Sequence, residues 1–162
     1  MIESETVEGF LKSNNIKFRL VNHKAVYTVE ESLVELEDKE PIKNIFLSNK
    51  NKSSWYLVIL KGGERLDMEK LKIRLNESKL KFASEENLQK YLGVKPGSVS
   101  VFCLLDESAK EVTLVLDQSM LNSYSELGFH PCVNTATIFL KMKDFNKVVD
   151  SLKNKIVKLK LG

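Results

Sequence analysis

Residues 42–60 carry two apolar runs on either side of a polar turn, and this pattern restricts the chain to folds that contain a β-hairpin. Apolar side chains are concentrated at 42–47 and again at 56–60, and the residues between them, 49–53, read Asn-Lys-Asn-Lys-Ser. Clusters of asparagine and serine favour turns, whereas the flanking apolar residues favour strands. The sequence therefore predicts two antiparallel strands joined at this turn.

A second pair of apolar runs, at 99–105 and 112–116, flanks the polar residues 106–109 and predicts a second hairpin. The segment 117–126 that follows is predicted to be a loop. Apolar spacing and capping residues predict the other elements. The expected helices cover 6–12, 28–36 after the cap Thr28, a segment after the cap Asp67, a segment from the cap Ser84 to Gly93 and a segment from Asp144, and the other expected strands cover 18–21, 137–140 and 156–161.

Helices and strands thus intermingle with hairpins along the chain, which is typical of an α/β fold. A length of 162 residues, with 43% hydrophobic and 29% charged residues, is typical of one globular domain with one core. We therefore expect a single domain over residues 1–162. Its centre is predicted to be a mixed, strongly curved, barrel-like β-sheet with surrounding helices.

The charge and hydropathy of the chain limit its partners. No apolar run approaches the roughly 18 residues of a membrane span, and residues 1–5 lack the basic start of a signal peptide. These features predict a cytoplasmic protein without a membrane partner. The net charge of +3 permits contact with a phosphate backbone but is far from that of a dedicated nucleic-acid coat. Arg19, Arg65 and Arg74 are the only arginines.

Several common chemistries are absent from the sequence. It has no phosphate-binding loop, dinucleotide fingerprint or serine-hydrolase elbow. The segment 130–132, His-Pro-Cys, lacks the glutamate and the second cysteine of a zinc deaminase, so we expect neither a metal nor another cofactor. Cys103 and Cys132 lie in apolar surroundings and are predicted to be buried thiols. A nucleophilic pair of Cys103 and His130 stays open as an alternative.

Polar residues gather where a predicted turn leads into the strand 137–140. His130 precedes Pro131, which fixes the backbone, and Asn134, Thr135 and Thr137 stand at the start of the apolar run. Side chains that donate and accept hydrogen bonds in such a place are typical of the lining of a small binding pocket. The alternative is that they are ordinary turn residues, which bond to nearby backbone.

Five stretches together resemble the YbaK/ProX family of aminoacyl-tRNA deacylases, which is similar to the editing domain inserted in bacterial prolyl-tRNA synthetases. They occur in the family's order and extend over nearly the whole chain. The stretches are His-Lys-Ala-Val-Tyr-Thr-Val-Glu-Glu at 23–31, Lys-Asn-Ile-Phe-Leu at 43–47, Lys-Phe-Ala-Ser-Glu-Glu-Asn-Leu at 81–88, Gly-Val-Lys-Pro-Gly-Ser-Val at 93–99 and Phe-His-Pro-Cys-Val-Asn-Thr-Ala-Thr at 129–137. The last stretch is most similar to the free-standing subgroup that deacylates Ala-tRNA(Pro).

The resemblance implies hydrolysis of the ester that joins an amino acid to the terminal adenosine of tRNA. Such an activated ester needs a positioned water and a stabilised oxyanion more than covalent catalysis. The resemblance implies catalytic roles for Lys43 on the terminal phosphate or ribose, for the backbone N–H groups around Gly97 and Ser98, and for His130 on a water or the adenosine. The tRNA's own 2′-hydroxyl is implied to share the proton transfer. The substrate-binding residues it implies are His23, Tyr27, Ser98, Asn134, Thr135 and Thr137.

Alternatives remain for the function and for individual residues. The substrate is expected to be Ala-tRNA(Pro), and another mischarged tRNA such as Cys-tRNA(Pro) is the alternative substrate. The alternative function is that of a noncatalytic module that binds tRNA or prolyl-tRNA synthetase. Val101 occupies a position where the family usually has proline, which places the rigidity of the pocket in question. Lys43 and His23 also suit structural roles. Four lysines near the end of the chain suit either tRNA phosphates or a solvated strand edge: Lys153, Lys155, Lys158 and Lys160.

Overall fold

The computed structural model describes residues 4–25 and 40–161 of the chain. The predicted helix at 28–36 and the candidate residue Tyr27 lie outside these ranges. No helix among the described residues is long and apolar enough to span a membrane. In chain order the elements are α1 (Ser4–Ser13), β1 (Arg19–Asn22), β2 (Ile42–Asn49), β3 (Trp55–Lys61), α2 (Met68–Arg74), β4 (Leu80–Phe82), α3 (Glu85–Leu92), two 3-10 helices (Val101–Leu105 and Glu107–Ala109), β5 (Val112–Asp117), α4 (Gln118–Ser123), β6 (Glu126–Phe129), β7 (Ala136–Lys141), α5 (Met142–Ser151) and β8 (Ile156–Leu159).

The predicted hairpin at 42–60 is confirmed and forms the middle of a five-stranded sheet. β2 and β3 pair antiparallel, with Phe46 opposite Leu57, and the strand order is β4-β2-β3-β5-β8. β5 runs parallel to β3, and β8 runs parallel to β5. Residues 55–60 of β3 are all buried, as expected for a strand that is covered on both faces.

The second predicted hairpin, at 99–105 and 112–116, is wrong. Val101–Leu105 forms a 3-10 helix, because the Ser100 hydroxyl accepts a hydrogen bond from the Phe102 N–H at 3.1 Å and caps it. An unbroken apolar run is found in buried helices and in buried strands alike, so the apolar pattern of residues 99–105 did not indicate which of the two forms. The second run does form a strand, β5, but it pairs parallel with β3. The predicted loop at 117–126 is wrong too, since it contains α4 and the start of β6.

Two predicted helix caps, Asp67 and Ser84, are confirmed, whereas α5 begins at Met142, two residues before the predicted start at Asp144. The Asp67 carboxylate accepts from the Lys70 N–H at 3.1 Å at the start of α2. The Ser84 hydroxyl accepts from the Asn87 N–H at 3.2 Å at the start of α3, and Gly93 ends that helix with a φ of 68°. A positive φ of this size favours glycine, so Gly93 is the natural C-terminal cap.

A second sheet of three strands carries the polar segments of interest. β7 lies in the centre and pairs antiparallel with β1 on one side and β6 on the other. The prediction of a mixed α/β fold is confirmed. The described strands form two separate sheets, however, and do not close into one barrel-like sheet.

The main core fills the space between the two sheets. Leu57 and Leu114 from the five-stranded sheet belong to the same apolar cluster as Phe129 and Ile138 from the three-stranded sheet. A smaller cluster covers the opposite face of the five-stranded sheet and includes Leu71 of α2. Helix α2 therefore lies on the side of the five-stranded sheet that faces away from the three-stranded sheet.

Candidate functional site

The strand order of the small sheet brings the two histidines of the chain together. β1 and β6 both run antiparallel to β7, so their last residues lie beside the first residues of β7. His23 follows the end of β1, His130 follows the end of β6, and Thr137 is the second residue of β7. The two imidazole ring centres are 5.9 Å apart. Residues more than 100 positions apart in the sequence thus form one polar cluster.

The hydrogen bonds of His23 fix its neutral tautomer. Its Nδ1 lies 2.6 Å from the Lys24 carbonyl oxygen, which can only accept, so Nδ1 carries the proton. Nε2 then accepts a hydrogen bond from the Thr137 hydroxyl at 2.8 Å. The backbone N–H of His23 also donates to the Thr135 carbonyl at 2.9 Å. His23 is therefore held to the β6–β7 loop by both its ring and its backbone.

His130 is arranged to keep a basic nitrogen at neutral pH. Its Nδ1–H donates to the Ala136 carbonyl at 2.9 Å, so Nε2 holds the lone pair. Burial lowers the pKa of His130 below its ordinary value, the bond to Ala136 opposes this effect, and the electrostatic influence of the neighbouring His23 ring lowers the pKa further. The neutral ring therefore predominates at pH 7, with Nε2 able to accept a proton or a hydrogen bond from water.

The glycine turn has the geometry of a type II β-turn over residues 95–98. Pro96 is its second residue, and Gly97 is its third, with a φ of 90°. The Ser98 N–H donates to the Lys95 carbonyl at 3.1 Å, which closes the turn. The Ser98 N–H is thus already used, whereas the Gly97 N–H takes no part in the turn's own bond. Of the two backbone donors expected from the sequence, Gly97 is the better candidate.

Two thiols connect this turn to the loop that carries His130. The Cys103 thiol donates to the Ser98 carbonyl at 3.9 Å, and Cys103 and Cys132 share a side-chain hydrogen bond. That bond, followed by burial, raises the pKa of the Cys132 thiol, so Cys132 stays protonated at neutral pH. Both cysteines are free, as predicted, but only Cys103 is buried, and Cys132 is half-buried. The Cys103 thiol contacts Ser98, Ser100 and Cys132, so the structure gives no support to a nucleophilic pair with His130.

Val101 meets structural demands that a proline would also meet. It is fully buried and is the first residue of a 3-10 helix, where the backbone N–H has no partner within the helix. Proline is favoured at such a first position for the same reason. The Ser100 cap and the buried side chain hold the segment in place. A valine at position 101 is therefore compatible with an ordered glycine turn.

Lys43 lies on the other sheet, close to the start of β2. Its amine donates to the Glu64 carbonyl at 2.8 Å, in the segment between β3 and α2. The next residue, Asn44, points to the opposite face, because side chains alternate along a strand. Its Oδ1 is buried and has no hydrogen-bond partner among residues 4–25 and 40–161. A buried acceptor without a partner is costly, which makes Asn44 a candidate for binding a polar ligand group.

The structure thus brings some of the predicted residues together and separates others. His23, His130, Thr137 and the backbone of Thr135 form one hydrogen-bonded cluster, and Asn134 belongs to the same loop. The turn that contains Gly97 and Ser98 is connected to this cluster by the contacts of Cys103 with the Ser98 carbonyl and with Cys132. Lys43 is separate from the cluster and contacts Glu64. Cys132 and Asn44 were missed. Cys132 adopts a φ of 64°, a conformation that sequence alone does not reveal.

Replacing Thr137 with valine is expected to lower kcat about tenfold, because His23 loses its hydroxyl donor and the histidines lose their link. The pH dependence of kcat/KM should shift as well, since the surroundings of His130 change. Steady-state kinetics of the deacylation that the sequence motifs imply, measured across pH, check this. Thr113→Val, on β5, removes a hydroxyl away from the site and should leave both quantities unchanged. An unaltered kcat and pH profile in Thr137→Val would rule out a positioning role for Thr137.

Comparison with known proteins connects this chain to one family. Residues 23–148 match the family described as the aminoacyl-tRNA editing domain. The prolyl-tRNA editing protein ProX of Acetoanaerobium sticklandii is 34% identical over 151 residues, which cover 92% of each chain. The prolyl-tRNA synthetase associated domain-containing protein 1 of Danio rerio is 30% identical over 147 residues, covering 89% of this chain and 79% of that protein.

A solved structure shows the same fold at lower sequence identity. A crystal structure described as a candidate trans-editing enzyme for prolyl-tRNA synthetase superposes with a TM-score of 0.74 and 19% identity, and the match covers 98% of this chain and 97% of the other. At this identity the likeness concerns the fold alone.

Proposed function

The chain belongs to the aminoacyl-tRNA editing domain family, and from this membership we propose that its substrate is Ala-tRNA(Pro). It is an aminoacyl-tRNA deacylase, an ester hydrolase of the kind that edits mischarged tRNA(Pro) in trans. The observation that carries the proposal is the 34% identity to a prolyl-tRNA editing protein across 92% of both chains. The expectation of a deacylase, drawn from the sequence motifs, is confirmed.

His130 is proposed to act as the base for the attacking water. Nε2 takes the proton as the water oxygen bonds to the ester carbonyl carbon. When the tetrahedral intermediate collapses, the carbon–oxygen bond to the ribose breaks, and the protonated ring returns the proton to the leaving ribose oxygen. The 2′-hydroxyl of the terminal adenosine shares this proton transfer. The lone pair on Nε2 and the lowered pKa of the ring support this role.

Gly97 is proposed to stabilise the charge that develops on the ester, and Lys43 is proposed to hold the terminal nucleotide in place. The Gly97 N–H donates to the oxyanion, and the absence of a Cβ at Gly97 allows the ester to approach closely. The Lys43 amine leaves the Glu64 carbonyl and binds the terminal phosphate or ribose. A hydrogen bond between the ammonium and a phosphate joins two opposite charges, and it is stronger than the bond from the ammonium to a neutral carbonyl that it replaces.

The amino acid is proposed to be selected by its size. A synthetase cannot strongly reject a smaller amino acid, because one methylene is worth only about 1–3 kcal/mol. A second pocket that admits alanine and excludes proline solves this problem. Asn134, Thr135 and Thr137 are proposed to line that pocket, with His23 at its rim and Ser98 on the opposite side. The unpaired Asn44 oxygen is a further candidate, as an acceptor for the substrate's amino group.

The partners follow from the same reaction. Members of this family act on aminoacyl-tRNA, and we propose that this chain binds the acceptor end of tRNA(Pro). Prolyl-tRNA synthetase, the source of the mischarged tRNA, is proposed as a second partner, in keeping with the names of the relatives. The cytoplasm is the proposed location, because tRNA is aminoacylated there.

Deacylation of Ala-, Cys-, Ser- and Pro-tRNA(Pro) at equal enzyme concentration tests the substrate. Rapid loss of alanine alone is the expected result, with the Lys43→Ala protein as the inactive control. Loss of cysteine in place of alanine would keep the chemistry and change the substrate. If no amino acid were released faster than in buffer, the noncatalytic binding module would replace the deacylase.

A further inference from the structure

A basic groove lies on the side of the five-stranded sheet that faces away from the histidines. It has a volume of about 390 Å³ and is formed by α2, the segment before it and the residues after β8. Its floor contains Leu71 and Leu161, and its walls contain four cationic side chains. The cations are Arg65, Lys70, Arg74 and Lys160, and the one acid is Asp67. Two of the three arginines of the chain thus face the same groove.

These four cations have no acidic partner in the described part of the chain. The ion pairs of the neighbourhood involve other residues, such as Lys72 with Glu69 at 2.6 Å. The single acid of the groove, Asp67, caps α2 through the Lys70 backbone N–H. Lys70 and Arg74 are one helical turn apart, where like charges repel each other and destabilise the helix. Four exposed, unpaired cations around one cavity favour the binding of a polyanion.

The groove is continuous with the segment that holds Lys43. The Lys43 amine donates to the carbonyl of Glu64, and the next residue, Arg65, lines the groove. A line of positive charge therefore extends from the proposed substrate phosphate at Lys43 towards α2. An RNA whose 3′ end reaches Lys43 would bring its backbone along this line. Arginine suits such phosphates because its guanidinium binds them with two parallel hydrogen bonds.

We propose that the groove formed by Arg65, Lys70, Arg74 and Lys160 binds the phosphate backbone of the tRNA acceptor stem. The proposal rests on the proposed function, since it takes tRNA as the substrate. Contacts to the phosphates position the RNA without reading its sequence. The groove therefore supplies affinity and orientation, while the histidine cluster and Gly97 supply the chemistry. It also gives Lys160 a defined partner, which the sequence pattern left open.

The test compares two double variants, Lys70→Ala with Arg74→Ala, and Lys12→Ala with Lys90→Ala. Both remove two positive charges from exposed helical positions, and alanine preserves the helices. Lys12 and Lys90 lie on α1 and α3, which pack against the main core on the other side of the sheet. Binding of uncharged tRNA(Pro) is measured from 50 to 300 mM salt. Hydrolysis is measured with the aminoacyl-tRNA and with an alanyl ester of adenosine.

The groove variant is expected to bind tRNA about tenfold more weakly at about 150 mM salt, and its plot of log Kd against log salt should lose a slope of about one to two. KM for the aminoacyl-tRNA should rise while kcat stays unchanged, and the adenosine ester should be hydrolysed normally. The control variant should match the wild type. Wild-type affinity and salt dependence in the groove variant would overturn the proposal.

Other outcomes separate this proposal from the proposed function. If the groove variant lost affinity for tRNA as expected but the wild type showed no deacylation, the result would support tRNA binding by the groove and overturn the deacylation of Ala-tRNA(Pro). Unchanged tRNA binding with weakened capture of prolyl-tRNA synthetase would overturn the proposal and assign the groove to an acidic protein surface.

Discussion

Replacing Lys43 with alanine is expected to lower kcat/KM for Ala-tRNA(Pro) by at least about a hundredfold, the usual effect of losing a group that positions the reacting ester. The Lys43 amine donates a hydrogen bond to the Glu64 carbonyl. Because this oxygen is neutral, the bond is readily exchanged for a stronger bond from the amine to a phosphate. Steady-state deacylation kinetics measure the loss. Circular dichroism and urea unfolding measure whether the fold is retained.

Lys61→Ala is the matched control for this variant. Lys61 is at the end of β3, opposite Ile42, and its amine lies 4.0 Å from the Glu64 carboxylate. It therefore shares the strand pair and the same neighbouring residue with Lys43, but it has no proposed role in the reaction. Its activity should stay within about twofold of the wild type, an effect below about 0.5 kcal/mol. Full activity of Lys43→Ala would remove Lys43 from the site.

Replacing His130 with asparagine is expected to lower kcat by about a hundredfold to ten-thousandfold, the usual contribution of a general base. The asparagine amide can still donate to the Ala136 carbonyl, but it cannot take a proton from water. In the wild type, kcat/KM should decrease on the acid side with a midpoint below about 6.5, because the pKa of His130 is lowered. This acid limb should be absent from the residual activity of the variant.

The same ring links stability to pH. The pKa of His130 is lower in the folded chain than in the unfolded chain, so between the two values the unfolded chain binds more protons. The contribution of His130 is thus constant above about pH 6.5 and is lost as the pH falls through the folded-state pKa. Urea unfolding at several pH values should show a weaker acid destabilisation in His130→Asn. An identical pH dependence of stability in both proteins would contradict the lowered pKa.

Elements with local signals could be predicted from the sequence. The turn at 49–53 defines the hairpin of β2 and β3, and the side chains of Asp67 and Ser84 cap α2 and α3 as expected. In each case the residues that decide the structure are neighbours in the sequence. Their preference for a turn or a cap does not depend on the rest of the fold.

Elements decided by distant contacts could not be predicted. Parallel pairing of β5 with β3 depends on residues more than 50 positions apart, and the sequence pattern of a buried strand does not reveal its partner. The motifs named both histidines as site candidates, but their link through Thr137 follows from the order of strands β1-β7-β6. The unpaired oxygen of Asn44 likewise becomes visible only when burial and hydrogen bonds are known.

The order of strands in the small sheet also has a consequence for the synthesis of the protein. Arg19 of β1 pairs with Phe139 of β7, 120 residues later in the chain. At roughly 5–20 residues per second, β1 leaves the ribosome about 6–24 s before the strand that will hold it. Until then His23 has no Thr137 to bind, and a nascent chain cannot assemble the histidine pair. The histidine pair can therefore form only after β7 has left the ribosome.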